Sequence, residues 1–194
     1  MPHIHNEPDQ HDMTVSAYVV RLDAGEPLCL VHMHKKIGKL MQIGGHIELN
    51  ETPWAAVAHE LEEESGYRLD EVEVVQYTAD CIVDAGNVSH PTPFAMNTHN
   101  VGNEHYHSDI CYGFITHGKP AENMADGESE DLRWMTLDSL RKAGKSGEAL
   151  QDVCNIYTFL IEHLATYARV PAIDFSITKP AVASATYKHG APGK

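Results

Sequence analysis

A short amphipathic helix that carries four glutamates constrains this chain more than any other feature. Thr52 is a suitable N-cap, Pro53 fits the first helical position, and Ser65-Gly66 supplies a left-handed stop. The sequence therefore predicts a helix from about residue 53 to 65. Its apolar positions follow the spacing i, i+3, i+4, i+7 and are Trp54, Val57, Ala58 and Leu61.

The glutamates of this helix lie close together near its end. Glu60, Glu63 and Glu64 are spaced as neighbours, and we expect them on the side opposite the apolar face. Like charges so placed repel each other, and the negative end of the helix dipole adds about 0.3–1 kcal/mol for each. Clustered oxygen ligands without cysteine suit a hard divalent ion, Mg²⁺ or Mn²⁺, better than zinc. The alternative is a solvated acidic face, which is what most charge runs are.

The spacing of the glycines and glutamates favours the metal site over the solvated face. Gly45 is followed after five residues by Glu51, and after seven more by the run His59–Tyr67. This segment, residues 45–67, closely resembles the signature box of the Nudix hydrolases in its glycines and in all four signature glutamates. His59 stands where the family has arginine, and Tyr67 stands where the family usually has an aliphatic residue. A histidine donates one hydrogen bond where arginine offers a charged fork, and it loses its charge near neutral pH.

The resemblance implies a fold and an activity. The fold is of the α/β class, an α/β/α sandwich with a mixed central sheet. The activity is metal-dependent hydrolysis of a diphosphate linkage in a nucleoside diphosphate linked to another moiety, with water attacking phosphorus. A second function left open is a Nudix-fold sensor that binds a nucleotide or metabolite without cleaving it. His59 favours the sensor, whereas the complete set of box glutamates favours the enzyme.

Carried over by position, the resemblance also implies site residues. The ligands that it implies for Mg²⁺ or Mn²⁺ are Gly45 through its carbonyl, Glu60, Glu63, Glu64 and Glu128. Glu128 is chosen because the family usually takes a further acidic ligand from just before the strand around Trp134, and Glu130 is the second choice. The catalytic residues that it implies are Glu63, Glu60 and His59. Either Glu63 or Glu60 would be the base, and His59 would orient the neighbouring glutamate.

Fourteen histidines are a separate signal in this chain. His105, His107 and Asp109 alternate on one predicted strand and therefore face the same way. Together with His11 and His46 they could form a second, softer metal site or a wall that contacts phosphate. The alternative is that each histidine satisfies a local hydrogen bond or lies on the surface.

Length and composition fit one globular domain, since 42% of the 194 residues are hydrophobic. We predict a lead-in arm over residues 1–12, the Nudix hydrolase domain over 13–168 and a tail over 169–194. The tail could pack against a second copy of the chain in a homodimer. The four cysteines are widely spaced, and we expect them to be reduced.

The net charge limits the partners of this chain. At −14, the chain is not expected to bind duplex nucleic acid or an anionic membrane. A small phosphoanhydride substrate would then need metal ions as a bridge. The sequence contains neither an apolar run of transmembrane length nor the features of a signal peptide, so we expect a cytoplasmic location.

Apolar periodicity predicts the remaining elements. A hairpin is expected near the start of the chain, followed after the box by further strands and two closing helices. The predicted ranges are strands at 14–21, 27–33, 72–83 and 105–116, a loop at 85–104, and helices at 137–143 and 149–168.

Overall fold

The computed structural model describes residues 9–79, 87–102 and 104–178. Within these residues the chain forms nine strands and three α-helices, together with three short 3₁₀ helices. The strands are β1 (His11–Arg21), β2 (Leu28–Met33), β3 (Leu40–Met41), β4 (Ile43–His46), β5 (Glu73–Gln76), β6 (Ala95–Gly102), β7 (His105–Thr116), β8 (Leu132–Thr136) and β9 (Ala168–Pro171). The helices are α1 (Pro53–Ser65), α2 (Leu137–Ser146) and α3 (Gln151–His163).

The strands form one mixed sheet. Its main path runs β3-β2-β1-β7-β5-β9, while β4 pairs with β1, β6 with β7 and β8 with β2. β1 and β7 are parallel along the whole of β1, from His11 opposite Tyr106 to Arg21 opposite Thr116. The other pairs that involve described strands are antiparallel.

Helices cover both faces of this sheet. Val15, Ala17 and Val19 of β1 face α1, where they share a core with Trp54 and Leu61. The alternate residues of β1, such as Tyr18 and Val20, belong to a second core with α2 and α3. Because successive side chains of a strand point to opposite faces, one strand supplies both cores. The predicted α/β/α sandwich with a mixed central sheet is confirmed.

Helix α1 has the bounds and the caps that the sequence predicts. The Thr52 side chain accepts a hydrogen bond from the N–H of Ala55 at 3.2 Å, and Pro53 occupies the first turn. Gly66 ends the helix in the left-handed region with φ 75, and its N–H donates to the carbonyl of Glu62. The helix therefore presents a fixed set of side chains to strand β4.

Two predictions on the middle of the chain are wrong. The stretch 85–104 was expected to be a loop, but β6 occupies its second half and forms a hairpin with β7. Most β6 side chains are exposed, so no alternation of apolar and polar residues marks this strand in the sequence. The long strand expected over 72–83 is short, since β5 ends at Gln76, and residues 80–86 lie outside the described part of the chain.

The sheet extends beyond the expected range of 13–168 at both ends. β1 begins at His11, within the stretch predicted to be an arm. β9 pairs with β5, and all but its first residue lie in the stretch predicted to be the tail. Beyond β9, Ala172 and Phe175 are buried in the core next to α1. The first part of the tail therefore packs on its own domain. Residues 1–8 and 179–194, which hold the rest of the arm and of the tail, lie outside the described residues.

The described cysteines are buried free thiols, namely Cys29, Cys111 and Cys154, as expected from the sequence. Cys81 lies outside the described residues. Among the residues that the structure describes, no helix is both long and apolar enough to cross a membrane.

Candidate active site

The glycine pair of β4 and two glutamates of α1 form the centre of the site. The N–H of Gly44 donates to Oε2 of Glu64 at 2.9 Å. The carboxylate of Glu60 lies against Gly45, where an added Cβ would be 2.6 Å from Cδ of Glu60. A glycine is therefore required at Gly45 if Glu60 is to keep its place against the strand.

The expected position of the glutamates on α1 needs a correction. Glu60 and Glu64 do not lie opposite the apolar face but beside it, and both are buried. At 100° per residue, Glu64 lies next to Val57 on the helix surface, so packing α1 on β4 also buries the carboxylate. Glu63 is half-buried, and Glu62 is exposed to solvent.

Burial changes the acidity of both central carboxylates. The pKa of Glu60 is raised from 4.5 to about 7 by burial, against the opposing charge of His59 and with help from Glu63 and Glu128. Burial likewise raises the pKa of Glu64 to about 8, although its hydrogen bond from Gly44 acts in the other direction. Burial thus disfavours the ionised form of both groups, and a cation bound beside them would offset the cost of ionising them.

A loop after β7 brings Glu128 to the same place. The N–H of Ala125 donates to the carbonyl of Glu63 at 2.8 Å, which fastens the loop to the end of α1. The ammonium group of Lys35 donates to the carbonyl of Gly127, next to Glu128. The charge of Glu128 raises the pKa values of both Glu60 and Glu64. Glu130, the second choice from the sequence, is exposed.

His59 contacts two other glutamates of the box. Its Nε2 lies 3.0 Å from Oε1 of Glu63, and its Nδ1 lies 3.4 Å from Oε1 of Glu51. Burial lowers the pKa of His59, but the charges of Glu63, Glu51 and Glu60 outweigh it and raise the pKa overall. The histidine therefore bridges Glu51 and Glu63, while its neighbour in sequence, Glu60, turns toward the sheet. Tyr67, the other departure from the box, buries its ring as the sequence allows.

His32 is a residue of this site that the sequence reasoning missed. It is 2% exposed, and its Nδ1 lies 3.7 Å from Oε1 of Glu64. Burial lowers the pKa of His32 to about 4, so the ring is neutral near pH 7. The signal in the sequence is the position of this histidine in the predicted strand 27–33, where it shares a face with Leu30.

Of the residues that the sequence analysis groups around His105, the structure brings His46, His105 and His107 together, whereas His11 and Asp109 are not part of the group and Asp12 joins it. Asp12, His105 and His107 bring their ligand atoms within 4.8 Å of one another. Nε2 of His46 lies 3.6 Å from Oδ2 of Asp12, and the rings of His46 and His107 are 4.8 Å apart. His11 does not belong to this group, because it precedes Asp12 on β1 and so points to the other face, where it is exposed.

Asp12 could have been found in the sequence. At the start of β1, Asp12, Thr14 and Ser16 alternate with Met13 and Val15, so that one face of the strand is polar. The hydroxyl groups of Thr14 and Ser16 donate to Asp109 at 2.9 and 2.8 Å. Asp109, which the sequence grouped with His105 and His107, therefore holds β1 and β7 together next to the histidines.

The two clusters offer different ligand chemistry. The first consists mainly of carboxylates, from Glu60, Glu63, Glu64 and Glu128, with His32 beside Glu64, and its oxygen atoms suit Mg²⁺ or Mn²⁺. The second presents imidazole nitrogens and one carboxylate, which suits zinc and its neighbours among the first-row metals. Gly45 and His46 are consecutive on β4, and consecutive residues of a strand face opposite sides of the sheet. The two clusters therefore lie on opposite faces of the sheet.

The sequence matches a family model described as NUDIX domain over residues 11–153. A crystal structure of a hydrolase of the NUDIX family from Clostridium perfringens has 26% sequence identity and a TM-score of 0.62, and the match covers 79% of this chain and 97% of that chain. A C. elegans Ap4A hydrolase in a binary complex has 15% identity and a TM-score of 0.59, with 79% of this chain and 98% of that chain covered.

A third similar structure is the NUDIX domain of Shewanella oneidensis NrtR complexed with ADP ribose. It has 15% identity and a TM-score of 0.56, and the match covers 79% of this chain and 88% of that chain. At 15% identity, the second and third structures show similarity of fold alone. No curated protein matches the chain by sequence.

Proposed function

The chain belongs to the Nudix family, and we propose that it is a metal-dependent hydrolase of small phosphoanhydrides. Its substrate class is a nucleoside diphosphate linked to another moiety, and the bond cleaved is the diphosphate linkage. Water attacks phosphorus and a phosphate-bearing fragment leaves.

The observation that supports this proposal is the burial of two carboxylates against a glycine. Glu60 and Glu64 are less than a tenth exposed, and Glu60 fills the space that a side chain at Gly45 would need. Two buried carboxylates cost folding free energy unless a cation accompanies them. A protein that keeps both of them gains from binding a divalent ion at this position.

The donor set fits Mg²⁺ or Mn²⁺. Glu60, Glu64, Glu128 and the carbonyl of Gly45 would hold the ion, with Glu63 at the rim. A divalent ion held there neutralises charge on a diphosphate and lowers the pKa of a bound water. A chain with a net charge of −14 needs such a bridge to a polyanionic substrate.

Glu63 is the first candidate for the base, and Glu60 is the second. Glu63 is half-buried and so can meet a solvent-derived nucleophile, whereas Glu60 is enclosed between α1 and β4. Nε2 of His59 lies 3.0 Å from Oε1 of Glu63 and holds this carboxylate in place. His59 is therefore a positioning residue that holds Glu63 and the loop residue Glu51 together.

A substrate panel tests the proposal. The purified protein is incubated with Mg²⁺ or Mn²⁺ and with ADP-ribose, Ap4A and nucleoside diphosphate sugars, and release of phosphate or nucleoside monophosphate is measured. Reaction in ¹⁸O-labelled water shows whether the label enters a phosphate group. We expect turnover of at least one substrate, its loss with EDTA, and its loss in Glu63→Gln.

The sensor that binds without cleavage is the second candidate, and the replacement of arginine by His59 is the feature that favours it. Binding of ADP-ribose by calorimetry with no turnover across the panel would decide for the sensor. Turnover that persists unchanged in both Glu63→Gln and Glu60→Gln would contradict the mechanism proposed for the enzyme.

A further inference from the structure

A group of imidazoles around one buried carboxylate lies on the face of the sheet opposite Glu60. Its members are Asp12, His46, His105 and His107, which we name the histidine cluster. The Asp12 side chain is fully buried, and the side chains of His46 and His105 are each 11% exposed. None of these residues has a role in the proposed hydrolysis.

The geometry points to a binding site for a first-row transition-metal ion of the zinc class in the histidine cluster. The inference does not depend on the proposed hydrolase function, since it rests on different residues on a different face of the sheet.

Two distances within the cluster are close to the spacing of neighbouring ligand atoms around zinc. Zinc binds imidazole nitrogen and carboxylate oxygen at about 2.0–2.2 Å, which separates neighbouring ligand atoms by about 3.4 Å. Oδ2 of Asp12 lies 3.4 Å from Nε2 of His105 and 3.6 Å from Nε2 of His46. His107 completes the group, since its ligand atom lies within 4.8 Å of those of Asp12 and His105.

The donor set selects the class of ion. Three imidazoles and one carboxylate are nitrogen-rich and contain no thiolate, a combination that suits Zn²⁺, Co²⁺, Ni²⁺ or Cu²⁺ better than Mg²⁺. The ligand atoms that come together are those of Asp12, His105 and His107, and His46 adds an imidazole nitrogen 3.6 Å from Asp12.

The cluster is held by paired strands, which fixes its shape before any ion arrives. Asp12 on β1 lies opposite His107 on β7 in the parallel register, and His46 on β4 lies opposite Thr14 on β1. His105 and His107 are two residues apart on β7 and so share a face. Sites built on strands hold their ligands more precisely than sites on loops. An ion here would join β1, β4 and β7.

The alternative is that the contacts of Asp12 with His46 and His105 are structural and that no ion binds in the cluster. An experiment distinguishes the two possibilities, because only a metal site binds Zn²⁺ in a fixed stoichiometry. The full-length chain carries two further histidines, His3 and His5, near its start, so a background variant with both changed to asparagine removes any affinity of that segment.

The test is a titration of metal-free protein with Co²⁺ and Zn²⁺ in excess Mg²⁺, which competes for binding to carboxylates alone. Visible absorption of Co²⁺ reports tetrahedral nitrogen and oxygen ligands, and elemental analysis after dialysis gives the amount of zinc. In the background variant we expect one equivalent of zinc per chain. Zinc should displace Co²⁺, and the absorption of bound Co²⁺ should then disappear. Asp12→Asn and His105→Gln should weaken binding by more than about 100-fold, which exceeds the usual effect of losing a second-shell partner.

Two matched controls complete the design. His99→Gln changes an exposed histidine whose ring lies 5.6 Å from that of His107 but which is outside the cluster, and it should keep the zinc. Glu63→Gln alters the glutamate site and should also keep it. If His105→Gln does not fold, His107→Gln replaces it, because His107 is only half-buried. Circular dichroism checks the folding of each variant. Absence of zinc from the background variant, or its retention in both ligand variants, overturns the inference.

Discussion

Gly45 and Glu60 are in direct contact, so the backbone of β4 and the carboxylate of α1 occupy adjoining space with no room for a Cβ between them. The contact joins the two halves of the signature box, which are 15 residues apart in the sequence. It also explains why a glycine stands at a position whose backbone conformation does not require one.

Gly45→Ala should therefore displace the Glu60 carboxylate while leaving the fold intact, because the group that must move is the end of a flexible side chain. We expect Mg²⁺ binding to weaken at least about 10-fold and turnover to fall accordingly. Calorimetric titration measures the first effect. Gly118→Ala is the matched control, since nothing lies within 4 Å of a Cβ at that position. Equal binding by the two variants would refute the role given to Gly45.

Metal-free protein should lose stability as the pH rises. The pKa values of Glu60 and Glu64 are raised from 4.5 to about 7 and about 8, so the folded state holds its protons more tightly than the unfolded state. Their contribution to stability is complete below about pH 4.5 and is lost as the pH rises through 7 and 8. With EDTA, we expect Tm to fall over this range, and Mg²⁺ should raise Tm more at pH 8 than at pH 5.

The double variant Glu60→Gln/Glu64→Gln is the control for this pH effect. It lacks both titrating groups, so its Tm should be flatter between about pH 5 and 8 and should respond little to Mg²⁺. A wild-type Tm that is constant or rises over this range in EDTA would contradict the burial of ionised carboxylates as the cause.

Glu128 and Glu130 should differ sharply when each is changed to glutamine. Glu128 acts electrostatically on Glu60 and Glu64, whereas Glu130 is exposed. We expect Glu128→Gln to weaken Mg²⁺ binding by about 10-fold or more and Glu130→Gln to leave it within about twofold, since an exposed charge contributes little. Titrations of the two variants at one ionic strength make the comparison. The reverse order would place the further ligand at Glu130.

Replacing His59 tests whether its charge supports Glu63. The contact is half exposed, with side-chain exposures of 48% and 45%, so His59→Gln should lower kcat/KM by no more than about 10-fold. His59→Arg keeps a positive charge at every pH and should retain activity. It should also remove the decline that follows loss of the histidine proton as the pH rises. A pH profile of kcat/KM for the three proteins provides the measurement, and a collapse of activity in His59→Arg would show that the imidazole has a role of its own.

Phe175 should be essential for stability although it lies near the end of the described chain. Its ring is 5% exposed and packs on Trp54, whose indole N–H donates to the Phe175 carbonyl at 3.2 Å. Phe175→Ala should cost about 3–5 kcal/mol, which is about 6–20 °C in Tm for a domain of this size. Ile177→Ala, at a residue that is 50% exposed, is the control and should shift Tm by less than about 2 °C. Equal Tm values would mean that the segment does not hold α1.

Local signals in the sequence determine much of α1 and its box. Thr52, Pro53 and Gly66 act within a few residues of the helix ends, so caps and bounds could be predicted without knowing the fold. The direction in which Glu60 and Glu64 point could not, because it depends on how α1 packs against β4. The helix alone shows charges on its surface, and only the packing buries two of them.

Residues that meet through sheet register were harder to predict. Asp12 reaches His105 and His107 only because β1 pairs in parallel with β7 in one particular register. β6 gave no signal, since its exposed side chains lack the alternation that marks a half-buried strand. His11 was misplaced by a single residue, which on a strand is enough to exchange one face for the other.

The parallel pairing of β1 with β7 also constrains how this protein is made. Thr14 and Asp109, which hydrogen-bond across that pair, are 95 residues apart in the chain. At about 5–20 residues added per second, a ribosome needs roughly 5–20 s to supply the second strand after the first. Of the three strands that pair with β1, only β2 and β4 have been made during that interval, so the edge that pairs with β7 lacks its native partner. The sheet, and with it both cores, cannot be completed until β7 has left the ribosome.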